Sequence, residues 1–117
     1  MTLKRIAEEL GLQTLTPELP LPEEGDIQRA HASDLLSDVL ANAPSGGILL
    51  TIQVHMNVVA VALHAAQAAV VFTSGMAPDG AVRARAVEER LPLFTTGEST
   101  FDAAGKLYGL GLRGRDE

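Results

Sequence analysis

Three short stretches of the 117-residue chain gather groups suited to holding a small ligand. They are Gln53-Val54-His55-Met56-Asn57, Thr73-Ser74-Gly75-Met76-Ala77-Pro78-Asp79 and Thr95-Thr96-Gly97-Glu98-Ser99-Thr100. In the second and third, hydroxyls and a glycine stand just before an expected helix. Free N–H groups and the helix dipole favour negative charge at such a place. Thr73, Ser74, Gly75, Thr96, Ser99 and Thr100 are therefore candidate contacts for a phosphate, a nucleotide or an acidic metabolite, although hydroxyls also suit a neutral ligand. His55 is the best-placed single side chain for a polar contact or a proton transfer, with Asn57 beside it. A second reading needs no ligand, because Ser and Thr are preferred helix caps and glycine supplies positive φ in turns.

Other chemistries find less support. His64 lies on an apolar helix and reads as a buried or interface histidine, and His31 on an edge strand reads as solvent-exposed. No two histidines have the i, i+4 spacing of a metal pair. Asp34 and Asp38, four apart, read as two solvated carboxylates on one helix face, or less readily as a divalent-cation pair. Gly109-Leu110-Gly111-Leu112-Arg113-Gly114 fits G-x-G-x-x-G as a string, but it follows a helix and is expected to be a frayed end. Gly75 and Gly80 have phosphate-loop spacing but are followed by Ala81-Val82, where Lys and Ser/Thr are required. Ser74 and Ser99 lack the strained elbow around a nucleophile. With no cysteine there is no thiolate nucleophile, zinc thiolate or disulfide. The expectation is a non-enzyme with no catalytic residue, cofactor or metal; a small enzyme using His55 as acid/base is the remaining catalytic alternative.

The three stretches act together only if the fold converges them, and the hydrophobic spacing predicts that it does. Leu3, Ile6, Ala7 and Leu10 mark one helix face, with Thr2 as cap and Gly11 as terminator. Residues 12–15 form a possible short strand. Pro17, Pro20 and Pro22 then remove amide donors and make residues 16–22 a loop or edge segment. Residues 27–32 read as an edge strand. Ser33 is expected to cap a helix packed through Leu35, Leu36, Val39, Leu40 and Ala43, stopped by Pro44-Ser45-Gly46-Gly47. Residues 48–52 and 69–73 are continuous apolar runs of the kind covered on both faces in a parallel sheet. Between them Asn57 is expected to cap a helix over 58–67. Asp79 opens a helix with Val82, Ala86 and Val87 inward, residues 92–95 form a further strand, and Ser99-Thr100-Phe101-Asp102 matches a capping box. The last helix is expected to bury Phe101, Ala104, Leu107 and Tyr108. Strands alternating with helices through short loops predict an α/β fold, a small three-layer domain with a mainly parallel sheet of four to five strands flanked by helices. The expected organisation is one domain: helix and Pro-rich loop in 1–26, βα repeats in 27–112, a tail in 113–117. Ligands in such sheets bind outside the C-terminal strand ends, where all three stretches fall.

Nine Lys plus Arg against fifteen Asp plus Glu give a net charge of −6, which argues against a nucleic-acid partner. Three Phe, one Tyr and no Trp leave no base-stacking platform. At 46% hydrophobic residues the chain is too apolar for disorder. Charges in the opening residues argue against a signal peptide, and the apolar run 58–66 is about half the roughly 20 residues that span a bilayer. A cytoplasmic protein is expected. The helix around Val58-Val59-Ala60-Val61-Ala62-Leu63 is apolar nearly all round, so it is either central in the domain or a homodimer interface carrying Val58, Val61 and Leu63.

From Asp34 to Leu110 the chain resembles a DRTGG domain, a module similar to the N-terminal domain of HPr kinase/phosphorylase. Such domains also occur in some phosphotransacetylases and beside CBS domains. The resemblance rests on Ser33-Asp34-Leu35-Leu36-Ser37-Asp38-Val39, on residues 52–57, and on Val71-Phe72-Thr73-Ser74-Gly75 where the family has its T-G-G turn. It extends through Leu91-Pro92-Leu93-Phe94-Thr95-Thr96 and Ser99-Thr100, and the opening residues 3–12 resemble the start of the kinase's N-terminal domain. Ser74 replaces the first glycine of T-G-G, and no D-R pair stands near His55. The resemblance implies a regulatory or ligand-sensing module that commonly self-associates. It does not imply kinase activity, because the kinase's phosphate loop belongs to a separate domain. A protein-interaction module without a small-molecule ligand is the alternative.

Overall fold

A computed structural model describes residues 1–115. Helix α1 (Leu3–Leu10) begins where Thr2 Oγ1 accepts from the Arg5 amide, and it turns Leu3, Ile6, Ala7 and Leu10 inward. The short strand β1 (Gln13–Thr14) follows. Residues 16–26 then carry no helix or strand. The rest alternates: β2 (Ala30–Ala32), α2 (Leu36–Asn42), β3 (Ile48–Thr51), α3 (Asn57–His64), β4 (Ala69–Phe72), α4 (Gly80–Glu88), β5 (Leu93–Thr95) and α5 (Thr100–Gly109).

The five strands form one sheet in the order β1-β5-β4-β3-β2. β2 through β5 are parallel, and β1 closes the other edge antiparallel to β5. Successive strand residues face opposite sides. Ile48, Leu50, Ala69, Val71 and Phe94 pack with α1 and α5, while Leu49, Val70, Phe72 and Leu93 pack with α2, α3 and α4. All residues of β3 and β4 are buried, which explains why their sequences are unbroken apolar runs. Each fully buried Leu, Val or Phe there contributes about 1.5–3 kcal/mol. This is the expected three-layer α/β arrangement.

Four helices end in the same way. After α1, α3, α4 and α5 the chain makes the paired backbone hydrogen bonds of a Schellman motif, for example Arg90 N to Val87 O and Leu91 N to Ala86 O. The left-handed residue is Gly11 after α1 and Gly111 after α5, but Ala66 (φ 54°) after α3 and Arg90 (φ 59°) after α4.

Several local expectations change. Ser33 does not cap α2: its Oγ accepts from the Leu35 amide in a turn, and the helix starts one residue later. Val39 is the buried residue of α2, whereas Leu35 and Leu40 are exposed. Asn57 is the first helical residue of α3, not its cap, and α3 stops at His64 because Ala66 turns left-handed. On α5 the buried residues are Ala103 and Leu107, while Phe101 is 85% and Tyr108 60% exposed. Apolar residues occupy two stripes of α5, and the small Ala103 lets the helix approach the sheet where Phe101 is too large. The segment after α5 is docked and not frayed: Leu112 is buried, and Arg113 pairs with residues of the β2 lead-in through Arg113 N to Gln28 O and Ala30 N to Arg113 O. Residues 116–117 of the expected tail lie outside the described residues.

The charged pair predictions also change. His31 is half-buried, its Nε2 2.9 Å from Asp38 Oδ2, and His64 is exposed. Asp34 lies before α2 and binds the β3 end, so Asp34 and Asp38 do not share a helix face. Among the described residues no cluster of three His, Cys, Asp or Glu could hold a metal ion, and no helix is long and apolar enough to cross a membrane.

Candidate functional site

Parallel register sets Thr51, Phe72 and Thr95 side by side, so the turns that follow β3, β4 and β5 open at one end of the sheet. This rim is where all three stretches converge. Thr73 N donates to Thr51 O at 3.1 Å and Thr96 N to Phe72 O at 2.9 Å, carrying the ladder one residue past the strands. Ser74 (φ 57°) and Gly75 (φ 73°) then turn left-handed in succession. Their amides donate to Glu98 O at 2.7 Å and Thr96 O at 2.9 Å. The turn after β4 is thus fastened directly to the turn after β5, and Thr95 Oγ1 adds a hydrogen bond to Met76 O at 2.7 Å.

Most of the candidate hydroxyls are used within this framework. Thr73 is fully buried and its Oγ1 lies 2.5 Å from Thr100 Oγ1. Thr96 Oγ1 accepts from Glu98 N at 3.3 Å, and Ser99 Oγ caps α5 by accepting from Asp102 N at 3.1 Å. The Ser74 hydroxyl is exposed and has no partner among the described residues. So do the first-turn amides of α5, Thr100 N and Phe101 N, remain without a partner there. Thr73, Thr96, Thr100 and Ser99 build the rim, and Ser74 faces outward from it.

The turn after β3 is organised by a residue that spacing alone did not single out for this role. Asp34 Oδ1 accepts from Thr51 Oγ1 at 3.0 Å and from Ile52 N at 2.8 Å. Gln53 Oε1 then accepts from His55 N, and His55 Nδ1 accepts from Asn57 N at 3.0 Å. His55 is thereby held with Nδ1 as an acceptor, leaving Nε2 as its outward group. Asp34 stands two residues past the C-terminal end of the edge strand β2, so the rule that placed the other three stretches extends to it.

A cleft of about 200 Å³ opens beside this turn, between the first turns of α3 and α4. Met56, Asn57, Ala60, Ala81, Val82 and Arg85 line it. Asp79 Oδ1 caps α4 by accepting from Val82 N, and the Arg85 guanidinium, half-exposed, stands 3.9 Å from Glu89. Arg85 is the cation that sequence reading missed: it stands in the body of α4, among Arg83, Glu88 and Glu89, where a charged residue reads as a solvated helix face. Elsewhere the rim is acidic, with Asp34, Asp79, Glu98 and Asp102, and Lys106 is paired with Glu98. The rim is also apolar: of the seven exposed large hydrophobic residues among the described residues, Leu35, Ile52, Met56, Met76 and Phe101 follow strand ends.

The apolar helix α3 is sandwiched in its layer by α2 and α4. Val58 lies in the domain's own core, while Val61 and Leu63 keep part of their surface.

No known family model matches the chain, and no curated protein matches it in sequence. A solved structure shares its fold: the CBS and DRTGG domains of the regulatory region of Clostridium perfringens pyrophosphatase, complexed with its activator, diadenosine tetraphosphate. The two superpose with a TM-score of 0.67 over 91% of this chain at 14% identity. This chain spans 45% of that chain's length. The likeness shows a DRTGG-related α/β fold.

Proposed function

We propose that the chain is a non-catalytic, ligand-sensing regulatory domain of DRTGG type that binds a small anionic metabolite or nucleotide at the turns after its parallel strands. The observation that carries this reading is the cleft between α3 and α4. It brings together Arg85 and Asn57 beside the first turn of α4, where Asp79 takes the Val82 amide and the Gly80 and Ala81 amides remain to meet an anion. Cross-linked turns make the rim stiff, so little ordering accompanies binding. His55 Nε2 and the Ser74 hydroxyl supply further polar contacts from the turns after β3 and β4. Thr73, Gly75, Thr96, Ser99 and Thr100 act by holding the turns in place. No residue is assigned a catalytic role, and the fold shared with a regulatory region bound to a nucleotide activator favours the same class of ligand.

The test is a melting titration with inorganic phosphate, AMP, ATP and diadenosine tetraphosphate. A compound at 100 times its Kd stabilises the fold by about 2.7 kcal/mol. Arg85→Glu should abolish the rise in Tm while leaving the unliganded protein folded. The reading fails if no compound raises Tm, or if Arg85→Glu leaves the rise intact.

The alternative, an interaction or homodimerisation module without a small ligand, draws on the exposed Leu35, Ile52, Met56, Met76 and Phe101 and on the half-exposed Val61 and Leu63. Light scattering separates the two readings. A dimer that Val61→Glu converts to a folded monomer favours the module, provided no ligand raises Tm.

A further inference from the structure

At the opposite end of the sheet the Pro-rich segment covers a cavity of about 390 Å³. Leu3, Ile27, Ala68 and Pro92 form its base, at the lead-in to β2, β4 and β5, and Leu19 and Pro20 form a wall. Its volume falls in the range of small-molecule pockets, roughly 300–1,000 Å³. Every side chain lining it is apolar except those of Glu24 and Arg90. Both are exposed at the mouth of the cavity, and neither has a side-chain hydrogen bond or ion pair among the described residues. Prolines in the wall limit the conformations it loses on binding.

Arg90 is also unusual in its backbone. It occupies the left-handed position of the α4 Schellman motif at φ 59°, where α1 and α5 use glycine and α3 the small Ala66. A side chain at this position is held against a backbone preference for none. Arg90 lines the apolar cavity, and a guanidinium fork matches a carboxylate in two parallel hydrogen bonds.

We propose that this cavity binds a small zwitterion with an apolar body, the size of a large apolar amino acid. The apolar body fills the space between Leu3, Ile27, Ala68 and Pro92. Its carboxylate pairs with Arg90 and its ammonium with Glu24. A ligand with one charge alone would engage only one of these two exposed side chains, so the pair favours the zwitterion over a simple acid or amine. The site is separate from the rim, which lies beyond the other ends of the same strands.

The experiment is a titration of the full chain with L-phenylalanine and with L-leucine, followed by amide chemical shifts. Saturable shifts are expected at Leu3, Ile27, Ala68 and Arg90, with Ser74 and Thr100 unmoved. Arg90→Gly relieves the left-handed backbone, so it should melt at or above the parent temperature and still lose about tenfold or more in affinity, as expected for one charge-assisted pair. Glu24→Gln should weaken binding of the zwitterion too. N-acetyl-L-phenylalaninamide, which keeps the ring and neither charge, should not compete. Absence of saturable shifts with both amino acids overturns the proposal. So does unchanged affinity in Arg90→Gly or Glu24→Gln, or equal binding of the neutral analogue.

Discussion

Thr73 Oγ1 and Thr100 Oγ1 lie 2.5 Å apart, joining the end of β4 to the first turn of α5 across 27 residues of sequence. Thr73 is fully buried and Thr100 half-buried, so this hydroxyl pair sits where solvent replaces it poorly. Thr73→Val keeps the shape and removes the hydrogen bond. A loss of about 1–2 kcal/mol is expected in urea unfolding, with an unchanged m-value. Thr100→Val should lose less, and the double variant should show a coupling of about 0.5–1.5 kcal/mol. Full additivity would mean that the two hydroxyls act independently.

Acid should weaken the attachment of α2 to the sheet edge. Hydrogen bonding from Asn42, then Ser33 and His31, holds the Asp38 carboxyl down to about 2. Its folded value is lower than the unfolded one, near 3.9, so its contribution is complete above about pH 4 and is lost as pH falls toward about 2. Asp38→Asn should therefore lower stability at neutral pH and flatten the decline between about pH 4 and 2. Parallel acid profiles for the two proteins would rule out this role.

Ala66 holds a left-handed backbone at φ 54° in the motif that ends α3. Ala66→Gly removes that strain and restores the residue found after α1 and α5. The expected gain is about 0.5–1 kcal/mol, the strain relief less the greater freedom of glycine in the unfolded chain. Thermal unfolding measures it, and a lower Tm would contradict the assignment.

Gly47 is required for a different reason. Its φ is ordinary, but a Cβ there would stand 3.0 Å from Arg29 O and 3.1 Å from Pro44 O, both backbone atoms. Gly47→Ala should push β2 away from β3 and destabilise by about 1–3 kcal/mol. Ala substitution at Gly97, where a Cβ meets nothing within 4 Å, serves as the neutral comparison.

Much of the fold was legible because its signals are local. The unbroken runs at Ile48–Thr51 and Ala69–Phe72 specify strands covered on both faces, and Thr2, Asp79 and Ser99 cap the helices they precede. The convergence of the three stretches followed from strand direction alone. The occupation of their hydroxyls did not: Ser and Thr look identical in sequence whether they wait for a ligand, as Ser74 does, or satisfy a neighbour 27 residues away, as Thr73 does. The cleft beside Asn57 was equally hidden, because Arg85 reaches it from a different helix.

The sequence by itself determined the order of helices and strands, the parallel sheet and the end of it that carries the polar turns, since periodicity, caps and buried runs act within a few residues of where they are written. Tertiary structure decided which stripe of α5 faces the sheet, which carboxylate anchors the turn after β3, and that the Pro-rich segment shelters a cavity between Glu24 and Arg90. Those outcomes depend on side-chain volume and hydrogen-bond partners that meet only after distant segments pack, and no local pattern encodes a meeting of that kind.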